Sequence, residues 1–319
     1  MVIWSCTKIE TTGGTAAISF STASLATKAD PLDMPAGNFT VTGKYCSGSS
    51  WSSGSASDVF DGTLQIVTTD GSGACTYSPA RYWKSNNIYR FRAVSPTAPA
   101  QLSYTDALDG NALISDFTVN ASAAAQKDLM LSDIAEVAIG SPIGTPAPVG
   151  LLFHHLLCKV KVQIIEDTSK PAGTPGSDVF TVTGVKLTGM PDKGTYTGTS
   201  TSGTWSTISS SALSCINNTV HEAPGSFNDA SADIWPDGLK LIPQTITNEV
   251  SLVLDYKVAH GSDAPSTKSV VIPIPPITWE AGKVYTYQLK LDEDMFIYFG
   301  NITVDTWGST QSSGSVIIK

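Results

Sequence analysis

The chain has 319 residues, enough for about two domains of ordinary size. Charged residues make up 15 %, below the usual share of about 25 %, whereas Ser and Thr together are about a quarter, which favours a β-rich, exported protein. The net charge of −9 argues against a nucleic-acid partner, which needs clustered Lys and Arg. No apolar run reaches the roughly 18 residues that span a bilayer, so any membrane link must be a lipid anchor.

The first notable element in chain order is a short segment that ends at Cys6. Ile3 and Ser5 precede this cysteine as in the tail of a bacterial lipoprotein signal, in which the cysteine is lipidated, although Trp4 is bulkier than that pattern prefers. We expect either lipidation of Cys6 or an unmodified thiol, with residues 1–14 as a signal remnant and linker. The remaining cysteines show no CxxC or zinc-finger spacing, and their pairing stays open: Cys46, Cys75, Cys158 and Cys215.

Short alternating apolar runs, bounded by Gly, Pro, Asn, Asp and Ser, predict an all-β fold. The predicted strands are 17–20, 39–42, 64–67, 88–93, 160–165, 180–187, 250–256, 284–291 and 296–304. Helix-like periodicity occurs only at 121–134. Because so many strands exceed one small sheet, two tandem β-sandwiches fit the length.

A Pro- and Gly-rich segment at 140–150 divides these strands. Its three prolines and three glycines exclude a long regular element. We therefore predict an N-terminal β-sandwich domain at 15–149 and a C-terminal β-sandwich domain at 150–319.

The sequence motifs of several common catalytic mechanisms are absent. The sequence contains no GxSxG, GxxxxGK[ST], GxGxxG or HExxH motif. His154 and His155 are adjacent in a predicted strand, where they point to opposite faces and cannot chelate one ion together. Asp229, Asp233 and Asp237 lack EF-hand spacing and are typical of a solvated acidic loop. We expect no catalytic, cofactor or metal site.

Two tryptophans are candidate ligand contacts. Trp51 and Trp205 lie within Ser/Gly/Thr-rich loops, where a flat ring is free to stack on a sugar. The other tryptophans lie beside predicted strands, and packing is their ordinary explanation.

Several segments, taken in order, resemble the fimbrillin-like proteins, the pilus subunits and accessory fimbrial proteins of Gram-negative anaerobes. The resemblance covers nearly the whole chain and is carried by the segments 27–29, 39–45, 77–83, 89–96, 127–130, 153–162, 241–244, 279–287 and 304–307. It implies two sandwich domains with a transthyretin-like Greek-key arrangement, export as a lipoprotein and assembly by strand exchange. In this family a trypsin-like protease cuts after the first strand, usually at Arg. The matching position here is Lys28.

Strand exchange would involve both ends of the chain, one as the strand that is removed and the other as the strand that is donated. Removing a strand at 16–22 would expose an apolar groove with unpaired backbone groups, which a strand from another subunit could fill. The candidate donor is the β-branched tail, with Val316, Ile317 and Ile318 after a Ser/Gly linker. The tail is equally consistent with a last edge strand.

These inferences predict a non-enzymatic fimbrial subunit or fimbria-associated adhesin at the cell surface, with a lipid-anchored precursor in the outer membrane. Its expected partners are other fimbrial subunits, a processing protease and a surface receptor or glycan. One alternative is a surface lipoprotein that binds glycan through Trp51 and Trp205. Another is a glycan hydrolase, which needs two facing carboxylates.

Overall fold

The computed structural model describes residues 16–22, 37–62, 64–69, 74–97, 103–166, 178–207, 213–217, 221–223, 232–247, 249–260, 262–291, 297–307 and 315–316. Strands dominate these residues. In the first part of the chain they are β1 (Phe20–Ser21), β2 (Phe39–Ser47), β3 (Ser57–Asp58), β4 (Gln65–Thr69), β5 (Cys75–Thr76), β6 (Asn87–Ser95), β7 (Ser103–Asp106), β8 (Ala112–Thr118), β9 (Met130–Ser132), β10 (Ala135–Ile139), β11 (Val149–Gly150) and β12 (Phe153–His155).

The strands continue through the second part of the chain. They are β13 (Cys158–Glu166), β14 (Asp178–Met190), β15 (Lys193–Gly198), β16 (Gly203–Thr207), β17 (Leu213–Asn217), β18 (His221–Ala223), β19 (Ala232–Asp233), β20 (Leu239–Leu241), β21 (Gln244–Ile246), β22 (Ser251–His260), β23 (Ser266–Pro273), β24 (Ile277–Trp279), β25 (Lys283–Leu291), β26 (Ile297–Thr306) and β27 (Ser315–Val316). The all-β prediction is confirmed, and each predicted run overlaps a strand.

The helix-like periodicity at 121–134 gave a wrong expectation. The segment contains a 3-10 turn at Ala123–Ala125 and then the strand β9; a second 3-10 turn lies at Ser53–Ser55. Leu131 pairs with Val94 of β6, and both side chains are buried. Tertiary pairing therefore overrides the helical preference of an Ala- and Leu-rich run.

The first sheet has the strand order β12-β9-β6-β2-β4-β5, with β10 also paired to β6 and β3 to β2. Its central strands β2 and β6 run antiparallel. Alternate side chains of these strands, among them Phe39, Val41, Tyr89 and Phe91, are buried in one apolar core because residues two apart share a face of a strand. We call this the first core.

The second core lies mainly within the later part of the chain. β13 pairs in parallel with β25 and β25 pairs antiparallel with β26, while β14 pairs with β22 and β22 with β23. Val162, Ile164, Val182 and Leu252 are fully buried in this core. The first-sheet residues Val94 and Leu131 also belong to it, so β6 is buried on both faces.

A sheet of order β16-β15-β8-β7 takes strands from both sides of the Pro- and Gly-rich segment. Within it, Ile114 of β8 is opposite Tyr196 of β15, and both side chains are buried in the second core. β12, beyond Gly150, pairs with β9 of the first sheet. Strand pairs thus cross the division at 149/150, and the domain boundary, the tandem sandwich and the Greek-key arrangement stay predictions.

A buried ion pair attaches the β7–β8 hairpin to the first sheet. Arg92 Nη1 lies 3.0 Å from Asp106 Oδ2, and the two side chains are 2 % and 0 % exposed. Arg92 Nη2 donates to the carbonyl of Gly110, and the Tyr104 hydroxyl donates to Asp106. Burial, followed by the nearby Asp106 charge, raises the pKa of Tyr104 well above its ordinary value. These bonds offset part of the cost of removing two charges from water.

Candidate functional site

The segment 16–22, which contains β1, is hydrogen-bonded along both edges. On one side β1 pairs in parallel with β11, where Val149 N donates to the Ser19 carbonyl over 2.8 Å and Leu151 N donates to the Ser21 carbonyl over 2.9 Å. On the other side Ile18 N donates to the Arg81 carbonyl over 2.8 Å. The segment therefore lies between two backbone edges that would lose their partners without it.

The side chains of this segment fill a groove in the first core. Ile18 and Phe20 are each 3 % exposed. The centroid of the Phe20 ring lies 5.2 Å from that of Phe91, 5.6 Å from Tyr77 and 6.4 Å from Phe60. We call the cleft formed by these three aromatic residues, with Val149 and Leu151 at its edge, the first-strand groove.

A tyrosine fixes the segment in the first-strand groove. The Tyr77 hydroxyl donates to the Ile18 carbonyl over 2.9 Å and accepts a hydrogen bond from Arg81 N over 3.2 Å. Burial raises the pKa of Tyr77 above its ordinary value, so the hydroxyl stays protonated at neutral pH and keeps its donor.

Burial of two large side chains favours the bound segment by about 1.5–3 kcal/mol each. Backbone hydrogen bonds on both edges also set the direction and the register of the segment in the groove. The groove thus holds an extended segment with apolar side chains two residues apart, an arrangement typical of β-strand addition.

The C-terminal strand β27 lies on an edge of the chain's own sheet. Val316 pairs with Ile302 of β26, and Ser315 pairs with Thr303, in antiparallel register. In the described residues this tail segment is therefore an edge strand. Ile317 and Ile318 lie outside the described residues.

Comparison with known proteins identifies the family. The model of the fimbrillin-like family matches residues 38–307. The chain belongs to the fimbrillin-like family. No curated protein matches it.

Solved structures share this fimbrillin fold at low sequence identity. A fimbrial protein from Bacteroides vulgatus is 17 % identical with a TM-score of 0.62, covering 84 % of this chain and 92 % of its own. A protein from Bacteroides uniformis, provisionally named a cell adhesion protein, is 16 % identical with a TM-score of 0.56, covering 93 % and 100 %. At such identities the similarity concerns the fold alone.

The processing residues predicted for a fimbrillin fall in undescribed parts of the chain. Cys6 and Lys28 both lie outside the described residues, so lipidation and cleavage stay predictions. In sequence, Lys28 lies between the described segment 16–22 and the start of β2. No helix within the described ranges is long and apolar enough to cross a membrane.

The two candidate tryptophans are both half-buried, but only Trp51 lies in a loop. The expected loop position of Trp205 was wrong, because this residue lies in β16 and pairs with Tyr196 of β15. The Arg90 guanidinium lies 4.7 Å from the Trp51 ring centroid, and Arg90 Nε is 2.7 Å from Glu136 Oε2. Trp205 Nε1 donates to the Leu156 carbonyl over 3.1 Å. Both rings therefore have intramolecular partners, since the Trp205 ring centroid lies 5.4 Å from that of Tyr196, but Trp205 also lines a cavity of about 590 Å³.

The adjacent histidines lie next to different aspartates. His154 Nε2 lies 3.3 Å from Asp133 Oδ1, and His155 Nδ1 lies 2.7 Å from Asp128 Oδ2. Their separate partners agree with side chains on opposite faces of β12. Within the described parts of the chain, no group of three or more His, Cys, Asp or Glu residues could hold a metal ion.

Among the described residues, three cysteines are buried thiols without a disulfide: Cys46, Cys158 and Cys215. Burial raises the pKa of Cys215 to about 11, which keeps this thiol protonated at neutral pH.

Sequence reasoning did not assign Tyr77, Phe91 or β11 to the groove. Their separation along the chain is large, and nothing in the local pattern joins Phe20 to Val149. The alternation of Val149 and Leu151 around Gly150 was the available signal for an edge strand.

Proposed function

We propose that this fimbrillin-like chain is a fimbrial subunit or fimbria-associated adhesin that assembles at the cell surface by strand exchange. The observation that supports this most directly is the first-strand groove, whose occupant contributes two buried side chains and hydrogen bonds on both edges. The role requires binding rather than catalysis.

Cleavage is the proposed trigger. A cut after Lys28 would leave the segment 16–22 attached to the rest of the protein by non-covalent contacts alone. The segment could then dissociate and expose the first-strand groove. Because the uncut segment is tethered, its high effective concentration keeps competing strands out.

The proposed donor is the tail of a second subunit. Val316 and Ile318 are two residues apart in the sequence, as are Ile18 and Phe20, so both pairs project from one face of an extended strand. The tail would exchange its pairing with β26 for the two edges of the groove. Repetition of this head-to-tail contact gives a filament when the rotation does not close.

The remaining partners follow from this scheme. A protease with trypsin-like specificity would cut at Lys28, and lipidation of Cys6 would hold the precursor at the outer membrane. A surface receptor or glycan would be the target of adhesion.

Limited trypsin digestion of the folded protein tests the trigger. Mass spectrometry and size-exclusion chromatography should show a discrete cut after Lys28, followed by oligomers, while Lys28→Ala should remain monomeric. Resistance at Lys28, or cleavage without association, would contradict the proposal.

A peptide experiment tests the donor. A synthetic peptide with the sequence of residues 314–319 should replace the cleaved segment and block oligomer growth. The same peptide with Val316 and Ile318 replaced by Ser should do neither. Equal activity of the two peptides would show that the apolar pair does not direct binding.

A further inference from the structure

A cavity of about 590 Å³ lies beside β12, the β15–β16 hairpin and the turn between β24 and β25, and it shares no described lining residue with the first-strand groove. Its walls include Trp205, the hairpin residue Ser202, the turn residue Glu280 and Trp307, which directly follows β26. The volume lies within the range of about 300–1,000 Å³ that is usual for small-molecule sites.

Backbone hydrogen bonds fix the two polar turns of this cavity. In the hairpin, Thr199 N donates to the Ser202 carbonyl over 2.7 Å, and the Tyr196 hydroxyl donates to the Thr199 carbonyl over 2.5 Å. At the other turn, Trp307 N donates to the Gly282 carbonyl over 2.8 Å. The walls are therefore formed before any ligand arrives, which reduces the entropic cost of binding.

Trp205 supplies the apolar wall. Its ring packs behind Gly194, where an added Cβ would lie 2.9 Å from Cε3 of the indole, and beside Tyr196 at a centroid distance of 5.4 Å. The indole N–H is already committed to the Leu156 carbonyl. What the half-buried ring offers to the cavity is therefore carbon surface, which suits the apolar face of a pyranose.

Polar residues of the two turns line the same cavity as Trp205. Ser202 and Glu280 are exposed. Glu280 uses its backbone N–H to bind the Tyr285 hydroxyl over 2.8 Å, and its carboxylate has no hydrogen bond or ion pair within the described part of the chain. A carboxylate that is not engaged elsewhere is a strong acceptor for ligand hydroxyl groups.

The lining of the cavity has few charged side chains. No lysine or arginine is among the described residues that line the cavity, and each histidine there has a carboxylate neighbour. Lys159, whose Nζ lies 4.2 Å from the Trp307 ring centroid, is next to the lining but not part of it. A lining without its own lysine or arginine favours a neutral ligand over an anionic one. Glu280 is the sole carboxylate among the described residues that line the cavity.

We propose that this cavity binds a neutral saccharide of two or three sugar units. One ring packs on Trp205, and its hydroxyl groups donate to the Glu280 carboxylate and bond to Ser202. The site is separate from strand exchange and binds without chemical change to the ligand.

The test uses the full chain carrying Lys28→Ala, so that assembly cannot interfere. The tryptophans are labelled with fluorine, and the Trp205 ¹⁹F resonance is assigned by its loss in Trp205→Phe. N,N′-diacetylchitobiose, N-acetyllactosamine and maltotriose are titrated in turn. At least one should shift the Trp205 resonance in a saturable manner while the Trp51 resonance stays in place.

Two variants at exposed positions locate the site. Glu280→Ala should weaken the affinity about 10-fold or more, since a hydrogen bond to a charged group is lost. Asp263→Asn also removes one exposed negative charge, but it lies in the turn between β22 and β23 and should leave the affinity unchanged. The proposal is overturned if none of the three saccharides shifts the Trp205 resonance or if only the Trp51 resonance responds. It is also overturned if Glu280→Ala and Asp263→Asn bind the saccharide with equal affinity.

Discussion

Phe20→Ala is the most informative change in the first-strand groove. The ring is 3 % exposed and lies within 6.4 Å, centroid to centroid, of three other aromatic rings. Truncation of a buried phenylalanine costs about 3–5 kcal/mol, because apolar contacts are lost and a cavity remains. This cost falls on the segment 16–22, which is held by few other side chains.

Hydrogen exchange at the amides next to the segment measures how easily the segment leaves the groove. The amides of Val149 and Leu151 donate to carbonyls of the segment, so they exchange when the segment leaves the groove. If opening becomes easier by about 3–5 kcal/mol, their exchange should accelerate by about 100-fold to 1,000-fold or more. Urea denaturation should show a decrease in the free energy of unfolding of at most the same size.

Ser19→Ala is the matched control in the same segment. Its side chain is half-buried, and the backbone carbonyl that Val149 N uses remains. We expect exchange at Val149 within a few-fold of the wild type. If Phe20→Ala also left both amides unchanged, then burial of the ring would not hold the segment, and the reasoning for the first-strand groove would be refuted.

Three further predictions concern the rest of the fold. Asp106→Ala should lower the free energy of unfolding by about 3–5 kcal/mol in urea denaturation, because it leaves the buried Arg92 charge uncompensated; a loss below about 1 kcal/mol would contradict this. Gly189→Ala should prevent stable folding, as judged by circular dichroism, since φ is +91° and the new Cβ would lie 2.1 Å from the Glu249 carbonyl oxygen; a wild-type melting curve would refute it. Burial raises the pKa of Tyr285 to about 12, so the unfolded chain ionises first and the free energy of unfolding falls as pH rises from about 10 to 12; Tyr285→Phe should show a shallower fall, and an equal slope would exclude this group as a cause.

Local pattern determined the strands and the fold class. Alternating apolar residues specify which side of a strand is buried, and this information is contained within five to ten residues. The helical expectation at 121–134 was wrong because pairing of β9 with β6, and not local preference, decided the structure of this segment. The ordered segments of the sequence also indicated the family, which the match over residues 38–307 confirms.

The candidate sites depended on contacts between distant residues. The sequence indicated that a first strand could cover a groove, yet the contacts of Phe60, Tyr77 and Phe91 with Phe20 join residues far apart in the chain. The sequence did not distinguish the surroundings of Trp51 from those of Trp205, because the segments around them have similar composition, yet only Trp205 lies in a strand.

The sequence by itself determined the all-β class, the positions of the main strands, the acidic character and the family. Tertiary structure alone decided that β8 and β15 join one sheet, that β11 is an edge of the first-strand groove, and that Trp205 and Glu280 line one cavity. The physical reason is that alternation fixes which face of a strand is buried, whereas strand partners are chosen by the packing of whole sheets.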